Sequence, residues 1–167
     1  MPRQSDKSPI TPLNLPPAQL QLSRSEKGDI VVFDPLRKKR VILTPEEWVR
    51  QNFVSYMTNQ LGYPKSLMAN EIAIKLNDTL RRCDTVVYDL NANPMVIVEY
   101  KAPEINITQQ VFDQIVRYNM VLHARCLIVS NGMSHYCCLI DYDNSTYSFL
   151  NEVPHFTRLT SEINITK

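Results

Sequence analysis

The apolar residues between positions 44 and 61 recur at helical spacing, and this pattern predicts the first helix of the chain. Thr44 is a suitable N-cap, Pro45 suits the first helical position, and Glu47 would complete a capping box. Gly62 ends the helix and Pro64 prevents it from resuming. The predicted buried stripe consists of Val49, Phe53, Tyr56, Met57 and Leu61.

Strand-like runs bounded by turn residues follow this helix, and a second amphipathic helix is predicted over residues 108–122. The predicted strands cover residues 67–76, 83–88, 95–101, 126–130, 135–142 and 147–150. Asn77-Asp78 fits a two-residue hairpin turn between the first two of these strands. A three-strand meander followed by a crossover helix and a further strand predicts an α/β fold. Its mixed sheet would be covered by helices and extended by a C-terminal hairpin.

The two ends of the chain are predicted to be irregular. Residues 1–28 contain five prolines and should form a flexible arm, in which Leu20 and Leu22 could add a short edge strand. Two short strands are expected over 30–34 and 40–43, around a turn at Pro35. We therefore expect one domain over residues 29–155, followed by a loose polar tail over 156–167.

The composition is that of one folded domain, with 167 residues of which 44% are hydrophobic and 21% are charged. The net charge of +1 is low for a protein that holds nucleic acid across a broad basic surface, and it favours short contacts or a partner that supplies the binding surface. No apolar run is long enough to span a membrane, and the N-terminus lacks the apolar core of a signal peptide. The four cysteines lack metal-binding spacing and lie in apolar runs, so we expect them to be buried and reduced in a cytosolic protein. They are Cys83, Cys126, Cys137 and Cys138.

Charged residues at the ends of two apolar runs indicate a reaction centre. Glu99 and Lys101 follow an almost wholly apolar run, 96–98, and their spacing of two places both side chains on one side of a strand. Burying such charges costs several kcal/mol unless they are paired or bound to something. Asp84 lies in the preceding apolar run, beside Val86 and Val87, and it can converge with Glu99 if the two strands are neighbours.

Two convergent carboxylates and the Tyr100 backbone carbonyl would form an all-oxygen site that suits Mg²⁺ or Mn²⁺. Glu71 is a further candidate ligand, because it lies across from Asp84 if Asn77-Asp78 is a two-residue turn. A turn one residue different would place it on the other face. Glu47 is another candidate, although its side chain could equally serve the capping box. A lysine beside the metal can orient the attacking water or stabilise charge on a phosphate, so the pattern predicts metal-assisted hydrolysis of a phosphodiester.

Six segments of the chain resemble the PD-(D/E)xK nuclease superfamily and, more closely, the N-terminal nuclease domain of the restriction (motor) subunit of type I restriction enzymes. Together they cover most of the chain between Arg37 and His135. They are RKKRVILTPEEWVRQ (37–51), LGYPKSLMANEIAI (61–74), RRCDTVVYD (81–89), VIVEYKAPE (96–104), FDQIVRYN (112–119) and SNGMSHY (130–136).

This resemblance implies a restriction-endonuclease-like αβββαβ core, DNA as the substrate, and a separate motor or specificity protein as a partner. It assigns metal binding and catalysis to Asp84, Glu99 and Lys101. The family also carries a Q-x-x-x-Y motif on the following helix, which corresponds here to Gln114 and Tyr118. These two residues are one helical turn apart, so they share a face and could orient the lysine or contact the nucleic acid.

A non-catalytic interpretation of the same residues is available. Glu99 and Lys101 could form a surface ion pair at the end of an edge strand, and Asp84 could be a turn residue. Arg81 and Arg82 could contact phosphate or could be the exposed end of a strand. The alternative function is therefore a nucleic-acid-binding or protein-interaction module that retains the nuclease fold.

Overall fold

A computed structural model describes the backbone of residues 8–120 and 122–165, with the side chains of those residues except 76, 81, 118 and 162–165. The helices are α1 (Pro45–Gln60), α2 (Gln109–Met120) and α3 (Phe156–Ile165). The strands are β1 (Leu22–Arg24), β2 (Ile30–Asp34), β3 (Lys39–Ile42), β4 (Met68–Leu76), β5 (Thr79–Tyr88), β6 (Pro94–Tyr100), β7 (Cys126–Ser130), β8 (His135–Asp141) and β9 (Thr146–Leu150). A 3₁₀ turn over Lys65–Leu67 connects α1 to β4.

Six strands form the main sheet in the order β4-β5-β6-β7-β8-β9, and β1, β2 and β3 form a small antiparallel sheet. Strands β6 and β7 are parallel because α2 crosses over between them, whereas the other neighbours in the main sheet are antiparallel. The element order α1, β4–β6, α2, β7 with the β8–β9 hairpin confirms the predicted restriction-endonuclease-like α/β fold.

Helices cover both faces of the main sheet, and each face has its own core. On one face, Val49 and Phe53 of α1 and Leu159 of α3 pack against Val96 and Val98 of β6. On the other face, α2 packs against β6 and β7. The second core includes Phe112, Val116, Ile97, Leu127 and Val129. Apolar runs such as 96–98 and 126–129 are continuous because their strands are buried on both sides.

The proline-rich segment before β1 is more ordered than its composition predicts. Leu13 and Leu15 pack against the core on the α1 face. The backbone N–H of Asn14 donates to the Gly132 carbonyl at 2.9 Å, and the Trp48 indole N–H donates to the Thr11 carbonyl at 2.9 Å. The predicted flexible arm is therefore wrong for residues 8–28, because scattered leucines and backbone groups find partners across the fold. Its first seven residues lie outside the described part of the chain.

The segment after Pro154 also differs from the prediction. Residues 156–165 form α3 rather than a loose tail, and Leu159 on this helix is only 1% exposed. The Phe156 ring packs edge-on against Tyr63, and the Tyr63 hydroxyl donates to the Pro154 carbonyl at 2.9 Å. The contacts of Phe156 and Leu159 stabilise a helix whose intervening residues, Thr157 and Arg158, are polar.

The four cysteines are buried thiols, as predicted. Among the helices of residues 8–165 that the structure describes, none is long and apolar enough to cross a membrane.

Candidate active site

Strand β6 presents Glu99 and Lys101 on the α2 side of the sheet. Val98 and Tyr100 belong to the core on the α1 side, whereas Ile97 belongs to the core on the α2 side. By the alternation of a strand, Glu99 and Lys101 follow Ile97. Both residues line a cavity of about 250 Å³ between the sheet and α2.

The β4–β5 hairpin places Glu71 directly across from Asp84. Leu76 pairs with Thr79 around Asn77-Asp78, so the predicted two-residue turn is confirmed. Both turn residues have positive φ, at 44° and 63°, as a tight turn between twisted strands requires. The same register, carried back along the two strands, brings position 71 opposite position 84.

The hairpin is distorted at this pair of acids. Glu71 has a φ of 57°, in the left-handed region that non-glycine residues rarely adopt. Before this residue, Asn70 bonds towards the α1 side, but Ile72 packs into the core on the α2 side. The side-chain alternation of β4 therefore reverses at Glu71, and the reversal allows this acid to reach residues of α1.

Asp84 lies where β5 and β6 separate. The ladder between these strands ends at the Thr85–Val98 pair, and the Tyr100 N–H donates to the Asp84 side chain, at Oδ2 and 2.9 Å, instead of to a backbone carbonyl of β5. The Asp84 carboxylate also lies close enough to the Glu99 carboxyl group to help raise its pKa. The structure thus brings Asp84 and Glu99 together at the point where β5 and β6 separate.

The two carboxyl groups compete for charge. Burial and the nearby Asp84 carboxylate raise the pKa of Glu99 to about 9, although Lys101 and Arg50 act in the opposite direction. Without a bound cation, Glu99 is therefore protonated at neutral pH and can share its proton with Asp84. A cation between the two groups would replace that proton.

Arg50 of α1 lies among three acidic side chains, those of Glu47, Glu71 and Asp84. Its side chain is only 6% exposed, and Nη2 bonds to Glu71 and lies 3.7 Å from Asp84 Oδ1. Nη1 lies 3.4 Å from Glu47 Oε2, and the guanidinium carbon is 5.8 Å from the centre of the Tyr100 ring. Burial disfavours the charge on Arg50, but the surrounding carboxylates outweigh this cost and raise its pKa.

The Glu47 side chain does not complete the predicted capping box. Thr44 Oγ1 accepts from the Glu47 N–H at 3.1 Å, so the first half of the capping box forms. The carboxylate does not return to Thr44, whose N–H donates to the Ile42 carbonyl. It binds Arg37 and accepts from Gln51 Nε2 at 2.9 Å. The capping-box prediction is therefore only half right, because buried cations compete for this carboxylate.

A buried chain of polar side chains supports the site from the α1 side. The Tyr100 hydroxyl donates to Thr85 Oγ1 at 2.9 Å, and Thr85 donates to Asn70 Oδ1 at 2.6 Å. Asn70 Nδ2 donates to Asp34 Oδ2 at 2.9 Å, and Asp34 also binds Arg37. This chain links the small sheet to β4, β5 and β6, and it fixes the Tyr100 side chain next to Asp84 and Glu99.

The cavity holds part of the predicted helix motif. Gln114 on α2 lines it together with Glu99 and Lys101, and so does Arg82. The Arg82 side chain is 70% exposed and its Nη1 lies 3.7 Å from Glu71 Oε2. The side chain of Tyr118 lies outside the described residues. Asp84 is not among the residues that line this cavity. Its carboxylate accepts from the Tyr100 N–H of β6.

The predicted metal ligands thus fall into two groups. Asp84 and Glu99 meet beside Tyr100, whereas Glu47 and Glu71 are bound by arginines. Within residues 8–120 and 122–165, no group of three or more His, Cys, Asp or Glu side chains is placed to hold a metal ion.

Sequence reasoning missed Arg50, Asn70 and Thr85. Arg50 falls on the predicted helix three residues after Glu47, and this spacing alone would have placed the two charges on one face. Asn70 and Thr85 carry no such signal, since an isolated polar residue in a strand is common at a solvent-facing position.

Comparisons with known proteins agree with the observed fold. The chain matches the family described as Type I restriction enzyme R protein N terminus (HSDR_N) over residues 45–154. A solved fragment assigned as an HsdR subunit of a type I restriction enzyme from Vibrio vulnificus YJ016 is similar with a TM-score of 0.50 and 16% identity. The match covers 71% of this chain but only 25% of that one, so it supports the fold alone. A comparison with curated proteins yields no significant match.

Proposed function

We propose that this chain, which belongs to the type I restriction enzyme R protein N-terminus (HSDR_N) family, is a nuclease domain that hydrolyses DNA phosphodiester bonds with Mg²⁺ or Mn²⁺. The observation that carries the proposal is the proximity of Asp84 and Glu99 at the point where β5 and β6 separate. This point lies beside the cavity that Glu99 and Lys101 line. Two partly buried carboxyl groups this close together stabilise neither the fold nor each other when both are ionised. Such a pair is typical of a functional site.

The residues present fit a hard divalent cation. Asp84 and Glu99 would hold it, with the Tyr100 carbonyl as a third oxygen donor, because Mg²⁺ and Mn²⁺ prefer oxygen ligands. The raised pKa of Glu99 supports this choice, since a cation would relieve the repulsion that burial intensifies. When bound, the ion would polarise the phosphate and lower the pKa of a coordinated water.

The other residues of the site would act on the substrate. Lys101 lines the cavity beside Glu99, where its ammonium group can hold the attacking water or balance charge on the scissile phosphate. Gln114 faces the same cavity and can orient Lys101, and we assign Tyr118 to the same task from its place in the motif. Arg82 at the cavity rim is a candidate phosphate contact.

A separate motor or specificity protein is the partner that we propose for this domain. The net charge of +1 gives the chain little general attraction for DNA, so a partner would supply much of the binding surface. DNA cleavage by the isolated chain should therefore need a higher protein concentration or a lower salt concentration than cleavage in a complex.

One observation favours the alternative, a nucleic-acid-binding or interaction module without catalysis. Arg50 neutralises carboxylates that a two-metal nuclease would use as ligands. These carboxylates, Glu47, Glu71 and Asp84, form an acidic cluster around Arg50. If the acidic cluster served only to anchor α1 to the sheet, no divalent cation would bind, and Mn²⁺ would leave the melting temperature unchanged.

Lys101→Ala separates the two functions. For a nuclease, this variant should cut supercoiled plasmid at a rate about 100-fold or more below wild type in Mg²⁺, because one electrostatic group at the reacting phosphate is lost. Its Mn²⁺-induced rise in melting temperature should persist, since lysine is not a metal ligand.

The matched control is Lys75→Ala, because Lys75 is 75% exposed near the tip of the β4–β5 hairpin. This control should cut DNA at the wild-type rate, and EDTA should stop cleavage by both. Equal cleavage by wild type and Lys101→Ala would show that the activity has another source and would refute the assigned site.

A further inference from the structure

Arg50 is the most deeply buried cation of the acidic cluster. It projects from α1 with a side chain that is 6% exposed, and it faces Glu47, Glu71 and Asp84. One guanidinium thus faces three carboxylates from α1, β4 and β5, although Glu47 also binds Arg37 and Glu71 also lies near Arg82. A buried charge of this kind is stable only when its partners neutralise it.

Arg50 makes mostly ionic contacts and few hydrogen bonds. Only Nη2 makes a hydrogen bond, to Glu71 Oε1, whereas Nε and Nη1 are buried without a hydrogen-bond partner among the described residues. A guanidinium has five N–H donors, and a well-fitted structural arginine uses most of them. The pocket therefore matches the charge of Arg50 better than it matches its planar shape.

The position of this guanidinium relative to the Asp84–Glu99 pair is informative. Asp84 is shared, because Oδ2 accepts from the Tyr100 N–H of β6 while Oδ1 lies 3.7 Å from Arg50 Nη2. A carboxylate that bridges two cations a few ångströms apart is the arrangement of two-metal hydrolytic sites. Here the first cation position would lie at Glu99, and Arg50 occupies the second.

We infer that the Arg50 guanidinium takes the place of a second divalent cation between Glu47, Glu71 and Asp84, so that the centre holds a single metal ion. This inference rests on the proposed function for the first ion but not for the second position. It makes Arg50 a positioning residue: it orients Asp84 towards the first ion and keeps Glu47 and Glu71 out of its coordination shell.

The test is the number of Mn²⁺ ions bound, measured by calorimetric titration and by electron paramagnetic resonance of free Mn²⁺. Arg50→Met removes the charge and keeps an apolar side chain of moderate length. The metal-free variant should melt at a lower temperature than wild type, and it should bind one more Mn²⁺ than wild type. Arg50→Lys retains a positive charge, so its Mn²⁺ count should equal that of wild type.

Arg82→Met is the matched control, because Arg82 also lies 3.7 Å from Glu71 but is 70% exposed. Its loss leaves no buried charge uncompensated, so the Mn²⁺ count should not change. An equal count for Arg50→Met and wild type would overturn the inference.

The difference between variant and wild type tests Arg50, and the count for wild type tests the proposed function. A wild-type count of zero with a count of one for Arg50→Met would contradict the proposed metal site but support the role of Arg50. If Arg50→Met does not fold, Arg50→Gln replaces it, with the same extra ion expected. Failure of both to fold in saturating Mn²⁺ would also overturn the inference, because the ion should supply the missing charge.

Discussion

Replacing Glu99 with glutamine should stabilise the metal-free protein at neutral pH. The pKa of Glu99 is raised from 4.5 to about 9, so the folded protein holds a proton that the unfolded chain releases. The associated stability is fully present below pH 4.5 and is lost as the pH rises towards 9. Each pH unit above 4.5 costs the wild-type protein about 1.4 kcal/mol, which reaches about 3 kcal/mol at pH 7.

Glutamine resembles the protonated acid and has no proton to release, so the variant should keep this stability. Urea unfolding followed by circular dichroism, in EDTA between pH 5 and 8, measures the difference. The free energy of unfolding of wild type should fall across this range relative to that of Glu99→Gln. Glu104→Gln, at an exposed position beyond β6, should follow wild type within about 0.5 kcal/mol. Parallel curves for wild type and Glu99→Gln would refute the argument that Glu99 is held protonated.

Two further predictions concern stability. Thr85→Val should lower the free energy of unfolding in urea by about 3 kcal/mol, because it leaves the Tyr100 hydroxyl and Asn70 Oδ1 buried without their partner. A loss below about 1 kcal/mol would show that the hydrogen bonds of Thr85 do not stabilise the fold. Leu159→Ala should cost about 2–5 kcal/mol, since it removes a side chain that is 1% exposed, and an unchanged unfolding midpoint would show that α3 does not pack on the sheet.

The stability of the site and its proposed chemistry oppose each other. The fold buries Glu99 near Asp84, which raises the pKa of Glu99, and it distorts the backbone at Glu71 in the same region. A residue in a rarely adopted conformation costs of order 1–3 kcal/mol, and such residues concentrate at functional sites. Variants that relieve this repulsion should therefore be more stable and less active than wild type.

Part of the candidate site follows from local sequence alone. Glu99 and Lys101 share a face because a strand alternates with a period of two, and their position after a run of apolar residues marks the end of a buried strand. Glu71 lies opposite Asp84 because Asn77-Asp78 is a two-residue turn that fixes the register. These relations depend on neighbours along the chain or on one tight turn, so the sequence is sufficient to predict them.

The partners of the charged side chains could not be predicted in this way. Arg50 meets Glu71 and Asp84 only because α1 packs across the sheet, and the backbone reversal at Glu71 turns its carboxylate towards that helix. As a result, the sequence could not show that Glu47 and Glu71, both predicted as metal ligands, also bind arginines.

The sequence by itself determined the order of helices and strands between residues 30 and 150, because periodicity, capping and turn chemistry are local. Only the tertiary structure decided the fate of the chain ends and the pairing of the buried charges. The segment 8–28 and helix α3 are held by a few contacts with residues far away in the chain, such as Leu13 with the core and Phe156 with Tyr63. Which buried charges pair depends on the distance between them and on the cost of removing them from water. Both quantities are fixed only when the helices and the sheet have packed together.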